Sequence, residues 1–279
     1  MRGAQALVQA LENEGCDTIF GFPGGVAIPF YDALYDAEKL RHVLVRHEQG
    51  AVHAADGYAR ASGKVGVCTA TSGPGAANLT TGIANAYLDS VPLVAITWQV
   101  RSDLIGTDAF QEADVTGITL PIVKHSYLVK RSADLPYVLH EAFYIASTGR
   151  PGPVVIDVPV AVAPADVDYA PPRKIDLPGY KPTTKPHIRQ IRAAAKVITE
   201  AERPVLYVGG GVVSSGAAPE ILRLAELRRL PVATTFMGLG AFPETHGLSM
   251  GMLGMHGTVT ANYALHECDL IIAIGARFD

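Results

Sequence analysis

A chain of 279 residues is long enough for about two domains of roughly 150 residues each, which excludes a single small stapled module. Hydrophobic residues make up 48% and charged residues 18%, with 28 Gly and 19 Pro, a balance that can bury a core and excludes a disordered tail. Acidic residues outnumber basic ones 27 to 23, for a formal charge of −4, and no Lys/Arg run stands out, which argues against nucleic acid or an anionic membrane as partner.

The opening stretch MRGAQALVQALENEG sets Ala4, Leu7, Val8 and Leu11 on one helical face and lacks the apolar core and cleavage site of a signal peptide. Downstream, TIFGF, HVLVR, VGVCTA, PLVAIT and PVVIDV read as short buried strands separated by Ala-rich helical stretches such as GAVHAADGYARA. That alternation predicts an α/β domain with a mostly parallel sheet over residues 1–163. The stretch APADVDYAPPRKIDLPGYKPTTKP holds six prolines and predicts a stiff, exposed linker over 164–186. A helix at IRQIRAAAKVITEA follows. RPVLYVGGGV, PVATTF and DLIIAIG then read as three buried strands, with PEILRLAELRRL between the first two, so a second, Rossmann-like domain occupies 187–279. It stops after a strand, at Phe278 and Asp279, and the expectation is the front part of a longer protein with a truncated central domain.

Cys16, Cys68 and Cys268 are odd in number, far apart and set among apolar neighbours, which suits reduced thiols in a cytoplasmic protein. Apolar runs such as DLIIAIG fall far short of the ~20 residues that span a bilayer.

Two glycine turns follow two strands: GFPGG at Gly21 to Gly25, and TSGPGAAN at Thr71 to Asn78. Such strand-turn-helix junctions let a ligand approach the backbone at the carboxyl edge of a parallel sheet, although tight turns alone also explain them. Glu48, just past HVLVR and near a helix start, faces the same edge. It reads either as a catalytic acid or as a solvated residue favoured by the helix dipole. HEQGA misses the zinc-protease pattern because position 51 is Ala, and the spacing of His42, His47 and His53 suggests structural roles.

The segments GFPGG, RHEQGAVHAADGYARASGKVGVCTATSGPGAANLTTGIANAY, IGTDAFQEADV, GRPGPVVIDVP and MLGMHGTVTANYAL come in the order found in thiamine-diphosphate enzymes. Together they most closely resemble the acetolactate synthase (acetohydroxyacid synthase) large subunit, over nearly the whole chain. The resemblance implies a pyrimidine-binding domain in which Glu48 hydrogen-bonds a ring nitrogen of thiamine diphosphate. The implied reaction decarboxylates pyruvate and joins the remaining two-carbon unit to pyruvate or 2-ketobutyrate, on the route to valine, leucine and isoleucine.

By the same matching, Gly24 and Gly25 lie at the active-site loop, Pro74 and Asn78 contact the pyrimidine, and Phe110 and Gln111 sit near the reacting centre, with Gln111 paired to Glu48 as a catalytic residue. FAD is implied as a second cofactor, at Arg150, Gly209, Gly210, Gly211, Thr235, Phe236, Leu253, Gly254, Met255, His256, Gly275, Arg277 and Asp279. Read alone, GGGVVS is a poor dinucleotide fingerprint, since Ser214 stands where a third glycine belongs, and Arg150 equally suits a helix C-terminus. Magnesium and the diphosphate are implied to sit on a carboxy-terminal domain with a GDG motif; AADGYAR, with Ala55 in place of Gly, does not replace it. A homodimer or tetramer with shared active sites and a possible regulatory subunit complete the implication, with an organelle as the alternative location if a transit peptide has been removed.

Val26, Trp98, Arg101 and Val160 depart from the usual synthase pattern around the substrate channel, as do Ser102 and Asp103, so weakened inhibitor binding is expected. Another thiamine-diphosphate enzyme, of the oxidase, decarboxylase or acetyltransferase type, and a non-catalytic FAD- or subunit-binding fragment remain open beside the synthase.

Overall fold

The computed structural model describes residues 1–170 and 174–278, which form two compact units, one running to Pro182 and one starting at Thr183. The first unit is built on six strands: β1 (Thr18–Phe22), β2 (Arg41–Leu44), β3 (Gly66–Ala70), β4 (Leu93–Gln99), β5 (His125–Leu128) and β6 (Pro153–Pro159). All pair in parallel, in the order β2-β1-β3-β4-β6-β5, as expected of an α/β domain. The helices are α1 (Gly3–Asn13), α2 (Ile28–Tyr35), α3 (Glu48–Ser62), α4 (Pro74–Ala77), α5 (Thr80–Leu88), α6 (Val115–Thr119) and α7 (Leu135–Ser147).

The central strands read as unbroken apolar runs because both faces of the sheet are covered. Val67, Val94, Ile96, Trp98, Val154 and Ile156 point to the side covered by α1, α2 and α7. Cys68, Ala70, Leu93, Ala95 and Val155 point to the side covered by α3 and α5. Helix α3 lies close to the sheet because its inner face is Ala51, Val52, Ala55 and Ala59 and because Gly66 has no side chain; a Cβ there would sit 2.1 Å from the Ala55 carbonyl oxygen. Cys16 and Cys68 are buried free thiols, both pushed up to about 12 by burial, whereas Cys268 is half-buried.

Strand β5 carries no sequence signal, since HSYL is a short, half-polar edge strand exposed at both ends. Of the stretch expected as an exposed linker over 164–186, residues 171–173 lie outside the described ones, and several of the others have long-range partners. Up to Pro182 it belongs with the first unit: Val167 is buried and exchanges backbone hydrogen bonds with Met1, and Tyr169 Oη accepts from Asn13. Tyr180 joins Lys124 and the Thr148 carbonyl at the end of α7. Local composition cannot reveal such long-range partners.

The second unit contains β7 (Pro204–Val208), β8 (Val232–Thr234), β9 (Ser249–Met252) and β10 (Leu270–Ile274), with α8 (Ile188–Glu200), α9 (Gly210–Ser215), α10 (Ala218–Arg228) and α11 (Val259–Glu267). Its parallel order is β10-β7-β8-β9. Strand β9, SMGM, goes unseen in the sequence because it is short, half-exposed and contains a glycine at φ 86°. Strand β10, expected to be buried, is the edge strand: Ile272 and Ile274 pack on the core while Ile271 and Ala273 are exposed.

A buried carboxyl links β4 to β6. Asp157 accepts from Thr97 Oγ1 at 2.7 Å and Gln99 Nε2 at 3.2 Å. Burial raises it from 3.8 to about 6, against the lowering effect of those hydrogen bonds, and the Asp114 charge adds to the rise. Because the folded form keeps this proton more tightly than the unfolded chain, stability falls as pH rises from about 4 to about 6 and the group has no further effect above that. The gap between 3.8 and about 6 corresponds to about 3 kcal/mol. Urea titrations between pH 4 and 7 are expected to show this slope in the native sequence and its loss in Asp157→Asn. Gly66→Ala forces the α3 backbone off the sheet, and the same titrations should read a loss of about 1–3 kcal/mol.

Candidate active site

In the first unit the strand order reverses between β1 and β3, so a crevice opens at their carboxyl ends. Three loops converge there: the turn after β1, the start of α3 after β2, and the turn after β3. His47 caps α3 by accepting from the Gln49 amide at 3.1 Å, and Gly63, at φ 73°, ends the helix in the left-handed region. His42 contacts the Gly21 carbonyl at 3.3 Å and stacks edge-on with Tyr31, so both histidines serve the local fold.

Glu48 opens α3 and is only 8% exposed. Its Oε2 accepts from Asn78 Nδ2 at 3.0 Å. Its Oε1 faces Gly75, where a Cβ would stand 3.2 Å away and 2.7 Å from Thr71 Cγ2. Gly24 packs on Thr71 from the β1 side, where a Cβ would come within 2.5 Å, whereas a Cβ at Gly25 would meet open space. Pro74 is the first residue of α4 and is exposed. Contacts thus link Glu48, Asn78, Gly75, Thr71 and Gly24 across the three turns, while Gly25 and Pro74 lie on the same turns without a contact to Glu48.

The segment 100–113 reaches the same place. Gln111, at φ 59°, presses its carbonyl oxygen on Gly73, where a Cβ would lie 2.5 Å away, and the adjoining Phe110 is 88% exposed. Asp56 of AADGYAR is bonded to Arg60 and Asn85, which leaves it a structural acid. Among the described residues no group of His, Cys, Asp and Glu is arranged to hold a metal ion.

Sequence reasoning missed the hydroxyls. Tyr31 Oη, Thr71 Oγ1 and Ser72 Oγ are buried with no hydrogen-bond partner among the described residues, in or beside the crevice. Burial holds the Tyr31 phenol well above its usual range, with the Cys68 and Glu48 charges adding to the effect, so it stays a proton donor. Buried polar groups are rarely left unpaired, so these hydroxyls are candidates to meet a ligand. The Ser/Thr content of the TSGPG turn was the available signal.

The departures from the synthase pattern take different places. Trp98 is fully buried, donates to Thr69 Oγ1 at 3.1 Å and stacks against Phe30. Val26 and Val160 are half-buried, while Arg101 is exposed and paired with Asp103.

In the second unit the order reverses between β7 and β10. The expected flavin segments are the four stretches that leave the sheet at one edge: Gly209, Gly210 and Gly211 after β7, Thr235 and Phe236 after β8, Leu253 to His256 after β9, and Gly275 with Arg277 after β10. Gly211 donates to the Gly275 carbonyl at 2.9 Å, and Gly275 holds φ 62°. Cβ atoms at Gly209 and Gly275 would clash with backbone at 2.3 and 2.6 Å, so this interlock demands glycine. Phe236 and Met255 are exposed, and Thr234 Oγ1 is a further buried hydroxyl with no partner among the described residues. Arg150 belongs to the first unit. It donates to Ser90 and to the Tyr87 and Leu88 carbonyls that end α5, which is the helix C-terminal role. Asp279 lies outside the described residues.

Comparison with known proteins agrees with both units. Residues 1–118 match the family model of the thiamine pyrophosphate enzyme N-terminal TPP binding domain, and residues 191–279 match that of the central domain. The acetolactate synthase large subunit of Corynebacterium glutamicum is 60% identical over 279 residues, which is all of this chain and 45% of that protein. A probable acetolactate synthase large subunit of Methanocaldococcus jannaschii is 59% identical over 281 residues, 47% of its length, and an acetolactate synthase of Mycobacterium bovis is 58% identical over 279 residues, 45% of its length. The chain thus spans a little under half the length of the curated relatives it matches. With a crevice built around a buried acid and both family models matched in order, the chain belongs to the thiamine pyrophosphate enzymes, as a homologue of the amino-terminal part of acetolactate synthase large subunits.

Proposed function

We propose that the chain supplies the pyrimidine-holding and central portions of an acetolactate synthase catalytic subunit, which joins the two-carbon unit from pyruvate to a second 2-keto acid on the way to branched-chain amino acids. The observation that carries this reading is the Glu48 carboxyl: buried at the switch point and hydrogen-bonded at one oxygen, with unpartnered hydroxyls at Thr71 and Ser72 on the neighbouring turn. A flat, polar heterocycle fits that setting. When bound, thiamine diphosphate would supply a nucleophilic thiazolium carbon and a cationic ring that serves as the electron sink.

The chain's own residues have simpler tasks. Asn78 occupies Glu48 Oε2, so the proton exchanged with a ring nitrogen resides on Oε1, the oxygen that Gly75 leaves uncovered. Tyr31, Thr71 and Ser72 offer hydroxyls to polar atoms of the bound ring. Phe110 and Gln111 stand at the rim, where the 2-keto acid arrives.

The edge of the second unit suits FAD. Glycines let the pyrophosphate approach the backbone after β7 and β10, Thr234 Oγ1 lacks a partner, and Phe236 and Met255 offer apolar surface to a ring. Arg277, Thr235, Leu253, Gly254 and His256 share that edge. Magnesium and the diphosphate are held by residues other than those described here, and the site is completed in a homodimer or tetramer, with a regulatory subunit as a further partner. No helix among the described residues is long and apolar enough to cross a membrane.

Two experiments on the full-length catalytic subunit test this reading. Acetolactate formation from pyruvate, with thiamine diphosphate and magnesium, should fall by about 10²-fold or more in Glu48→Gln at unchanged circular dichroism; unchanged turnover removes Glu48 from the chemistry. Gly275→Val should lower the flavin that copurifies by about tenfold, because its side chain strains the backbone and pushes into the interlock with Gly211; full flavin content would overturn the assignment of that edge.

A further inference from the structure

The segment between β4 and α6 crosses the Glu48 edge with no regular secondary structure, yet it is tightly held. Glu112 accepts the backbone amides of Gly106 and, at 3.0 Å, Ala109, closing a ring in which Asp108 and Gln111 adopt φ 57° and 59°. Those hydrogen bonds also keep the Glu112 carboxyl below its usual range. Positive φ at non-glycine residues persists only where surrounding contacts impose it.

The ring is fastened from below by one side chain. Gln99, 2% exposed at the end of β4, accepts from the Val100 amide at 2.9 Å and donates to the Ala113 carbonyl at 2.8 Å. A single amide therefore holds both the entry and the exit of the segment. Its orientation is set by Asp157 on β6, which accepts the other amide proton at 3.2 Å and is itself held by Thr97. Every polar atom of the Gln99 side chain is used, and an acid at this position would turn lone pairs toward both the Ala113 carbonyl and Asp157.

We propose that Gln99, oriented by Asp157, is the positioning residue that fixes Phe110 and Gln111 against the Gly73 turn beside Glu48, and thereby sets how the 2-keto acid meets the site. The proposal rests on the functional reading above. The anchoring itself is a statement about the segment and can fail or hold independently of the reaction.

The test uses the full-length catalytic subunit with Gln99→Met, which keeps the volume and removes all three hydrogen bonds. Asp157→Asn serves as a milder second variant that carries the test if Gln99→Met does not fold. Hydrogen exchange of peptides covering 101–112 is expected to accelerate by about tenfold or more, with exchange in β4 and β6 unchanged. The KM for pyruvate should rise about tenfold while kcat and half-saturation by thiamine diphosphate move less than about threefold, since a misplaced rim contact weakens substrate placement before it touches the cofactor. Unchanged exchange in 101–112 of a folded variant overturns the anchoring whatever the enzyme makes. Accelerated exchange with an unaltered KM overturns the substrate-positioning role, and so does a native subunit that makes no acetolactate, in which case the exchange data still decide the anchor.

Discussion

A carboxyl group withdrawn from water at the end of a parallel sheet is the constraint around which the first unit is arranged. Removing an acid from solvent is unfavourable unless hydrogen bonds compensate, and Glu48 receives one, from Asn78. It is carried to its place by α3, whose small inner face allows the helix to lie against β3. Gly75 then leaves its second oxygen bare. A larger residue at 66 or at 75 would move the helix or cover the acid, so the glycines are as much part of the site as the acid.

The second unit solves a related problem with different means. Its edge is lined by interlocking glycine backbone from two strands, and none of the described residues in the four edge segments is an acid. Backbone amides at a helix start favour an anionic ligand, whereas a buried acid favours a ring that can share a proton. The two edges thus present different chemistry on similar parallel sheets.

The first unit also shows how an irregular segment can be kept in one conformation without regular secondary structure. Glu112 and Gln99 replace ladder hydrogen bonds with side-chain ones, and the positive φ values near Phe110 are held by them. Trp98 and Gln99 are neighbours on one strand with opposite tasks, since alternation sends the indole into the core and the amide toward the 100–113 segment.

Much of this was legible along the chain, for a local reason. Runs such as VGVCTA and PVVIDV must lie between covered faces, glycine turns must follow strands, and Glu48 and the TSGPGAAN turn each announce an edge by their place after a strand. Tertiary structure decided what depends on residues far apart in sequence. The order of strands inserts β6 between β4 and β5, and only then does Asp157 meet Gln99. Pairing of Val167 with Met1 draws the proline-rich stretch onto the first unit, and hydroxyls at 31, 71 and 72 become unpaired only once the loops that bury them converge. Residue type is a property of the chain, whereas burial and hydrogen-bond satisfaction are properties of neighbours, and neighbours exist only in the folded state.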